Sequence, residues 1–160
     1  VFSRTFRINT VGLRYFNVFG KRQDPKGSYA AVIPRWIDAF IKNEPVYIFG
    51  DGSTSRDFCY IENVIQANLL AAISENLGES GEIFNIAVGD RTTLNQLTDI
   101  IKKSLPSNSE SNIIFEDFRD GDVKHSQADI SKAKKLLGYE PYYNVEQGIS
   151  ETINWFLTES

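Results

Sequence analysis

The spacing of apolar residues changes abruptly at Ile61, and that change limits the chain to a small set of folds. Before it, Val46–Phe49 is a short run of β-formers, Gly50-Asp51-Gly52-Ser53 is turn chemistry, and Thr54–Ile61 alternates, so the stretch predicts a hairpin. After it, Ile61, Val64, Ile65, Leu69 and Ile73 share one face at helical spacing and predict a buried helix. Arg56 and Asp57 interrupt the second strand. A charge inside an apolar strand needs a partner or a ligand. Two uses are open: a salt bridge between the two, or an arginine held against a rigid wall for an anionic ligand.

Strands and helices alternate on either side of this stretch. Val1–Thr5 reads as the last turn of a helix and Arg7–Thr10 as the loop after it. Val11-Gly12-Leu13-Arg14-Tyr15-Phe16 is a nearly continuous apolar strand, the pattern of a strand covered on both faces. It ends at Asn17-Val18-Phe19-Gly20, where ligands bind in open α/β sheets, and a polar loop, Lys21–Ser28, follows. Tyr29, Val32, Ile33, Trp36, Ile37, Phe40 and Ile41 fit an amphipathic helix with Pro34 in its first turn. The helix from Ile61 runs to about Leu77 and is broken by Gly78 and Gly81. Glu82–Ala87 is a strand. Thr93 and Gln96 form a capping box for a helix with Leu94, Leu97, Ile100 and Ile101 inward. Pro106–Asn112 is a Ser/Asn-rich loop, expected to be the most mobile segment, and Ile113–Phe115 is a short strand. Asp129 can cap a helix carrying Ile130, Ala133, Leu136 and Leu137, closed by Gly138 and Pro141. The last helix starts near Asn144 and buries Val145, Ile149, Ile153, Phe156 and Leu157. The class is α/β.

Charge and cysteine content narrow the function. A net charge of −4 and a pI near 5.1 argue against a nucleic-acid or anionic-membrane binder, both of which demand a basic field. No apolar run approaches the roughly 20 residues of a membrane span, and Val1–Thr10 lacks the plan of a signal peptide. Cys59 is the sole cysteine, which rules out an internal disulfide. It reads as a small buried hydrophobe in a reducing, cytoplasmic compartment. With no methionine and an opening in mid-pattern, the sequence reads as a fragment of a longer protein.

The second charged segment, FRDGDVKHSQAD from Phe118 to Asp129, places Arg119 and Asp122 on either side of a glycine turn. Such a loop is either simply solvated or offers a guanidinium for phosphate and a carboxylate for sugar hydroxyls. Two arginines on separate loops, Arg56 and Arg119, suit a diphosphate better than one. Other constellations fail. Gly50-x-Gly52 precedes a strand, which a dinucleotide fingerprint does not. His125 neighbours Ser126 and Asp122 too closely in sequence for triad geometry. Asp117, Asp120 and Asp122 miss the spacing of a calcium loop, and one His with one Cys does not make a zinc site.

SRDFCYIENV, with LRYFNVFG before it and RDGDVKHSQAD after it, resembles the nucleotide-sugar epimerases and dehydratases of the extended short-chain dehydrogenase/reductase family, most of all the 4-epimerases of UDP-N-acetylhexosamines. The likeness runs through all 160 residues but spans only the back half of such an enzyme. It implies the C-terminal, substrate-binding portion of the fold over residues 1–160, with 1–20 and 82–87 contributing strands of the parent's Rossmann sheet. It also implies a UDP-sugar substrate, NAD bound mainly by an N-terminal Rossmann half absent here, and a homodimeric parent. The arginines matching Arg56 and Arg119 bind the diphosphate, the carboxylate matching Asp122 binds the ribose, and the residue matching Asn17 meets phosphate and sugar. Positions matching Ala31 and Val32 line the pocket, those matching Tyr47 and Phe49 frame the uracil, and those matching Tyr15 and Phe16 lie near the nicotinamide. A small residue at Ser126, where enzymes restricted to non-acetylated sugars carry a large aromatic, leaves room for a C2 acetamido group. The family's Tyr-x-x-x-Lys pair and glycine-rich NAD loop are not in this sequence, so the resemblance implies a fragment inactive alone. A dehydratase or decarboxylase of the same superfamily, or a non-catalytic binding module, is the alternative.

Overall fold

A computed structural model describes residues 5–6, 8–27, 31–74, 81–106 and 111–159. Five helices and eight short strands occur in these residues: β1 (Val11–Tyr15), β2 (Val18–Phe19), α1 (Val32–Lys42), β3 (Val46–Phe49), β4 (Ser55–Arg56), β5 (Cys59–Tyr60), α2 (Ile61–Ile73), β6 (Glu82–Ile86), β7 (Thr92–Thr93), α3 (Leu94–Ser104), β8 (Ile113–Glu116), α4 (Ser131–Leu137) and α5 (Val145–Glu159). The expected helix turn over Val1–Thr5 lies outside the described residues except Thr5, which is helical. Tyr29, residues 75–80 and most of the Pro106–Asn112 loop also fall outside them; the helix expected to run to about Leu77 ends at Ile73, because Ser74 is already extended at ψ 118°.

The strands form two-stranded pairs. β1 and β6 run parallel from Val11↔Glu82 to Tyr15↔Ile86, joined through a connection that contains α2. A parallel pair needs such a crossover. The expected hairpin is overturned. β3 pairs in parallel with β8 from Val46↔Ile113 to Phe49↔Glu116, whereas β4 pairs antiparallel with β7 and β5 pairs parallel with β2. Gly50 (φ 81°) and Gly52 (φ 74°) redirect the chain after β3, a conformation glycine adopts without steric cost. The N-terminus of α3 then captures the turn: Asn95 N donates to Gly52 O at 3.1 Å and Leu94 N to Thr54 O at 2.9 Å.

β5 sits on the seam between two cores. Successive strand residues point to opposite faces, so Tyr60 packs with Phe19, Phe58, Trp36, Ile149 and Phe156 in one cluster. Cys59 packs with Val64, Phe84, Ile86, Ala133 and Tyr139 in the other. The Cys59 thiol is fully buried, and burial pushes its pKa up to about 12. Because the thiolate is the reactive form, a chromogenic disulfide reagent is expected to label no thiol in native protein and to label Cys59 on unfolding. Labelling at the rate of a free thiol in native protein would contradict this burial.

Capping follows the sequence closely. Thr93 and Gln96 form the expected reciprocal box, with Gln96 N donating to Thr93 Oγ1 and Thr93 N to Gln96 Oε1. Asn144 and Gln147 form a second one ahead of α5. The expected Asp129 cap is displaced by one residue: α4 begins at Ser131 with Ile130 at its N-cap position, and the Asp129 carboxylate accepts from Ser131 N at 2.9 Å just ahead of it, while Gly138 closes the helix at φ 65° as expected.

Three expectations about burial are corrected. Ile65, Leu69 and Ile73 on α2 are exposed, the last at 74%, because α2 packs through Asn63, Val64 and Ala67. Leu136 and Leu157 are also exposed. β1 is not covered on both faces: Arg14 and Tyr15 are exposed, and among the described residues β1 pairs with β6 alone.

Candidate functional site

Six segments from distant parts of the sequence converge on one cavity of about 730 Å³. Asn17 at the end of β1, Ala31 and Val32 at the start of α1, Tyr47 and Phe49 on β3, Arg56 on β4, Leu94 at the start of α3, and Arg119 and Asp122 beyond β8 all line it. Ser126, Tyr15 and Phe16 do not. Ser126 lies at the junction of the Arg119–Ser126 loop with β4, where its N–H donates to Ser55 O at 3.1 Å. Tyr15 is half exposed at the carboxyl end of β1, its hydroxyl donating to Asn68 Oδ1 at 3.0 Å. Phe16 turns into the second core.

The two charges in the interrupted strand do not pair with each other. Arg56 and Asp57 are neighbours in an extended segment and point to opposite sides. Arg56 donates to Asp122 Oδ1 at 2.7 Å and to Ser55 O at 3.0 Å, with its side chain about one-fifth exposed. Asp57 is fully buried and accepts three backbone N–H groups: Val88 at 3.0 Å, Gly89 at 3.1 Å and Ala128 at 3.2 Å. Burial raises the carboxyl pKa above the ordinary value, and the three amide bonds oppose that shift. Asn17, in the left-handed region at φ 34°, donates through Nδ2 to Asp57 O at 3.0 Å. The buried carboxylate thus ties together the turn after β6 and the loop after Ser126, and its backbone carbonyl ties in the end of β1.

Arg119 is held differently. Its guanidinium carbon lies 3.6 Å from the centroid of the Phe49 ring, and it has no ion-pair partner among the described residues. The loop that carries it is stitched along β4 by Ser55 N to Lys124 O at 2.9 Å and by the Ser55 Oγ–His125 Nδ1 hydrogen bond at 2.9 Å. His125 therefore serves a partner 70 residues away, not its sequence neighbours.

Sequence reasoning missed Thr54, Arg35 and Glu116 in the cavity wall. Thr54 lies two residues before Arg56 and so on the same side of the strand, and Arg35 lies one turn on from Ala31; both were legible by period. Glu116 reaches the cavity only because β8 pairs with β3, a contact no local pattern announces. Three arginines and four carboxylates line the cavity in all. An anionic ligand therefore depends on how individual guanidiniums are oriented, not on a positive field.

Residues 1–87 match the NAD dependent epimerase/dehydratase family. The chain belongs to that family. A UDP-glucuronate 4-epimerase of Thermodesulfobacterium geofontis is 36% identical over 144 residues, 89% of this chain and 42% of that protein. Among solved structures of epimerases, a UDP-N-acetylglucosamine 4-epimerase from Methanobrevibacter ruminantium, in complex with UDP-N-acetylmuramic acid, superposes with a TM-score of 0.88 at 39% identity. It covers 99% of this chain and 49% of its own. A UDP-glucose 4-epimerase from Thermotoga maritima with UDP-glucose gives 0.88 at 38% identity, covering 98% and 48%. The chain spans about half the length of the epimerases it matches. No helix among the described residues is long and apolar enough to cross a membrane.

Proposed function

We propose that this chain is the substrate-binding portion of an NAD-dependent UDP-N-acetylhexosamine 4-epimerase, acting on UDP-N-acetylglucosamine and UDP-N-acetylgalactosamine or their uronic acids. The observation that carries the reading is the convergence of Arg56, Arg119 and Asp122 on one cavity with Tyr47 and Phe49. Two guanidiniums meet the diphosphate, a carboxylate meets the ribose hydroxyls, and the β3 segment frames the uracil. Asn17 retains its Oδ1 for the phosphate and sugar region once Nδ2 is committed to Asp57, and Ala31 and Val32 complete the wall.

The sugar is chosen by position 126. The relatives' own ligands include UDP-glucose and a UDP-N-acetyl sugar, so family membership alone does not choose. Ser126 lies outside the cavity wall but is anchored next to Arg56 by its N–H bond to Ser55 O, so a large side chain there would reach toward the sugar, and serine leaves room for a C2 acetamido group.

Residues 1–160 serve as one substrate-binding domain, in which β1 and β6 extend a larger parallel sheet. NAD supplies the hydride acceptor of such a reaction. Of this chain's residues, Tyr15, half exposed at a strand's carboxyl end, fits the rim of a nicotinamide site better than Phe16, which is partly buried in the second core. The sequence has neither a glycine-rich dinucleotide loop nor a Tyr-x-x-x-Lys pair, so the chain by itself binds substrate and does not epimerise it. Calorimetric titration with UDP-glucose and UDP-N-acetylglucosamine is expected to show binding of both by native protein. Ser126→Tyr is expected to weaken the N-acetyl sugar about tenfold relative to UDP-glucose, because the larger ring would reach from beside β4 into the room an acetamido group takes. Equal affinities in that variant would remove the N-acetyl assignment, and an epimerase assay with added NAD that registers turnover would remove the claim of inactivity.

A further inference from the structure

We propose that Arg119 is the platform on which the nucleobase stacks, with Phe49 as its support. This rests on the nucleotide-sugar reading and adds a stacking role to the charge of that residue. At 3.6 Å from guanidinium carbon to ring centroid, the guanidinium covers one face of Phe49 in van der Waals contact. Arg119 is nonetheless exposed and lines the cavity, so the opposite face of its plane is open. A base cannot reach the covered face of Phe49 without displacing the arginine. It can lie on the arginine itself, since a planar, delocalised guanidinium stacks on π-faces as an aromatic ring does.

The support is rigid. Phe49 ends β3 in register with Glu116, and the next residue, Gly50, donates to Glu116 O at 2.8 Å. The two arginines also differ in what holds them. Arg56 is oriented by Asp122 and Ser55, leaving it suited to a fixed anion. Among the described residues no carboxylate pairs with Arg119, and the stack on Phe49 sets its plane.

Charge and plane are separated by Arg119→Lys, which keeps the first and loses the second. Titrations with UDP and with inorganic pyrophosphate are compared in wild type and variant, with thermal melting to confirm the fold. The expected result is a loss of about tenfold or more in UDP affinity, the scale of one base–platform stack, with pyrophosphate affinity little changed. Phe49→Leu, which leaves the charge and removes the support, is expected to follow the same pattern. Unchanged UDP binding in Arg119→Lys, or equal losses of UDP and pyrophosphate, would overturn the platform and leave the nucleotide reading standing. A wild-type protein that binds pyrophosphate but gains nothing from the uridine would overturn both.

Discussion

Asp57→Ala is expected to lower the unfolding free energy by about 3 kcal/mol or more, the cost of leaving several buried amides without acceptors. In a chain of this size that corresponds to a fall of roughly 10 °C in melting temperature. The carboxylate is fully buried and is the acceptor for Val88, Gly89 and Ala128, which belong to two segments about 40 residues apart in sequence. Asp57→Asn keeps one oxygen and turns an N–H₂ toward an amide donor, so it is expected to lose about half as much. Urea melts of the three proteins give the comparison, and an alanine variant as stable as wild type would show that these amides find other partners. The pH dependence has a definite sign. Burial raises the pKa of Asp57 in the folded state, so the folded protein binds this proton more readily than the unfolded chain does. The associated stability is present below the ordinary carboxylate pKa and is lost as pH rises through the folded value. The margin of wild type over Asp57→Asn should therefore narrow from pH 4 upward, and a margin that widens would contradict a raised pKa.

Asp57 also marks the boundary of what this sequence makes legible. That charges inside the aromatic strand need partners follows from desolvation alone, and both charges found them. Which partners they found does not follow, because Asp122, Val88 and Ala128 are brought to the strand by tertiary pairing. The hairpin reading failed for the same reason: Gly50 to Ser53 is sound turn chemistry, but β8 and α3 compete for the flanking backbone groups and win. Local signals with local partners were read correctly, including the Thr93–Gln96 box and the Gly138 terminator, and the burial of Cys59 followed from its residue type. The α2 stripe of Ile65, Leu69 and Ile73 is correct as periodicity and wrong as burial within this chain, since period tells which residues share a face and not what covers it.

Arg56→Ala should weaken UDP binding about 100-fold, the scale of losing charge-assisted hydrogen bonds to a phosphate from a desolvated site. The Arg56 side chain is only about one-fifth exposed, and both the position and the plane of its guanidinium are set by Ser55 O at 3.0 Å and Asp122 Oδ1 at 2.7 Å. Arg56→Lys should recover little of the loss, because an ammonium cannot bond Ser55, Asp122 and a phosphate in one plane. Asp122→Ala separates two roles that the ion pair joins. If the carboxylate holds the ribose, its removal weakens UDP. It also frees the Arg56 charge in a cavity where four carboxylates face three arginines, so inorganic pyrophosphate should bind more tightly than to wild type. Opposite shifts for the two ligands are the expected signature, read by calorimetry at low salt, where such charges are least screened. Parallel losses of UDP and pyrophosphate would instead mean that Asp122 serves only to aim Arg56, and that the ribose is held elsewhere.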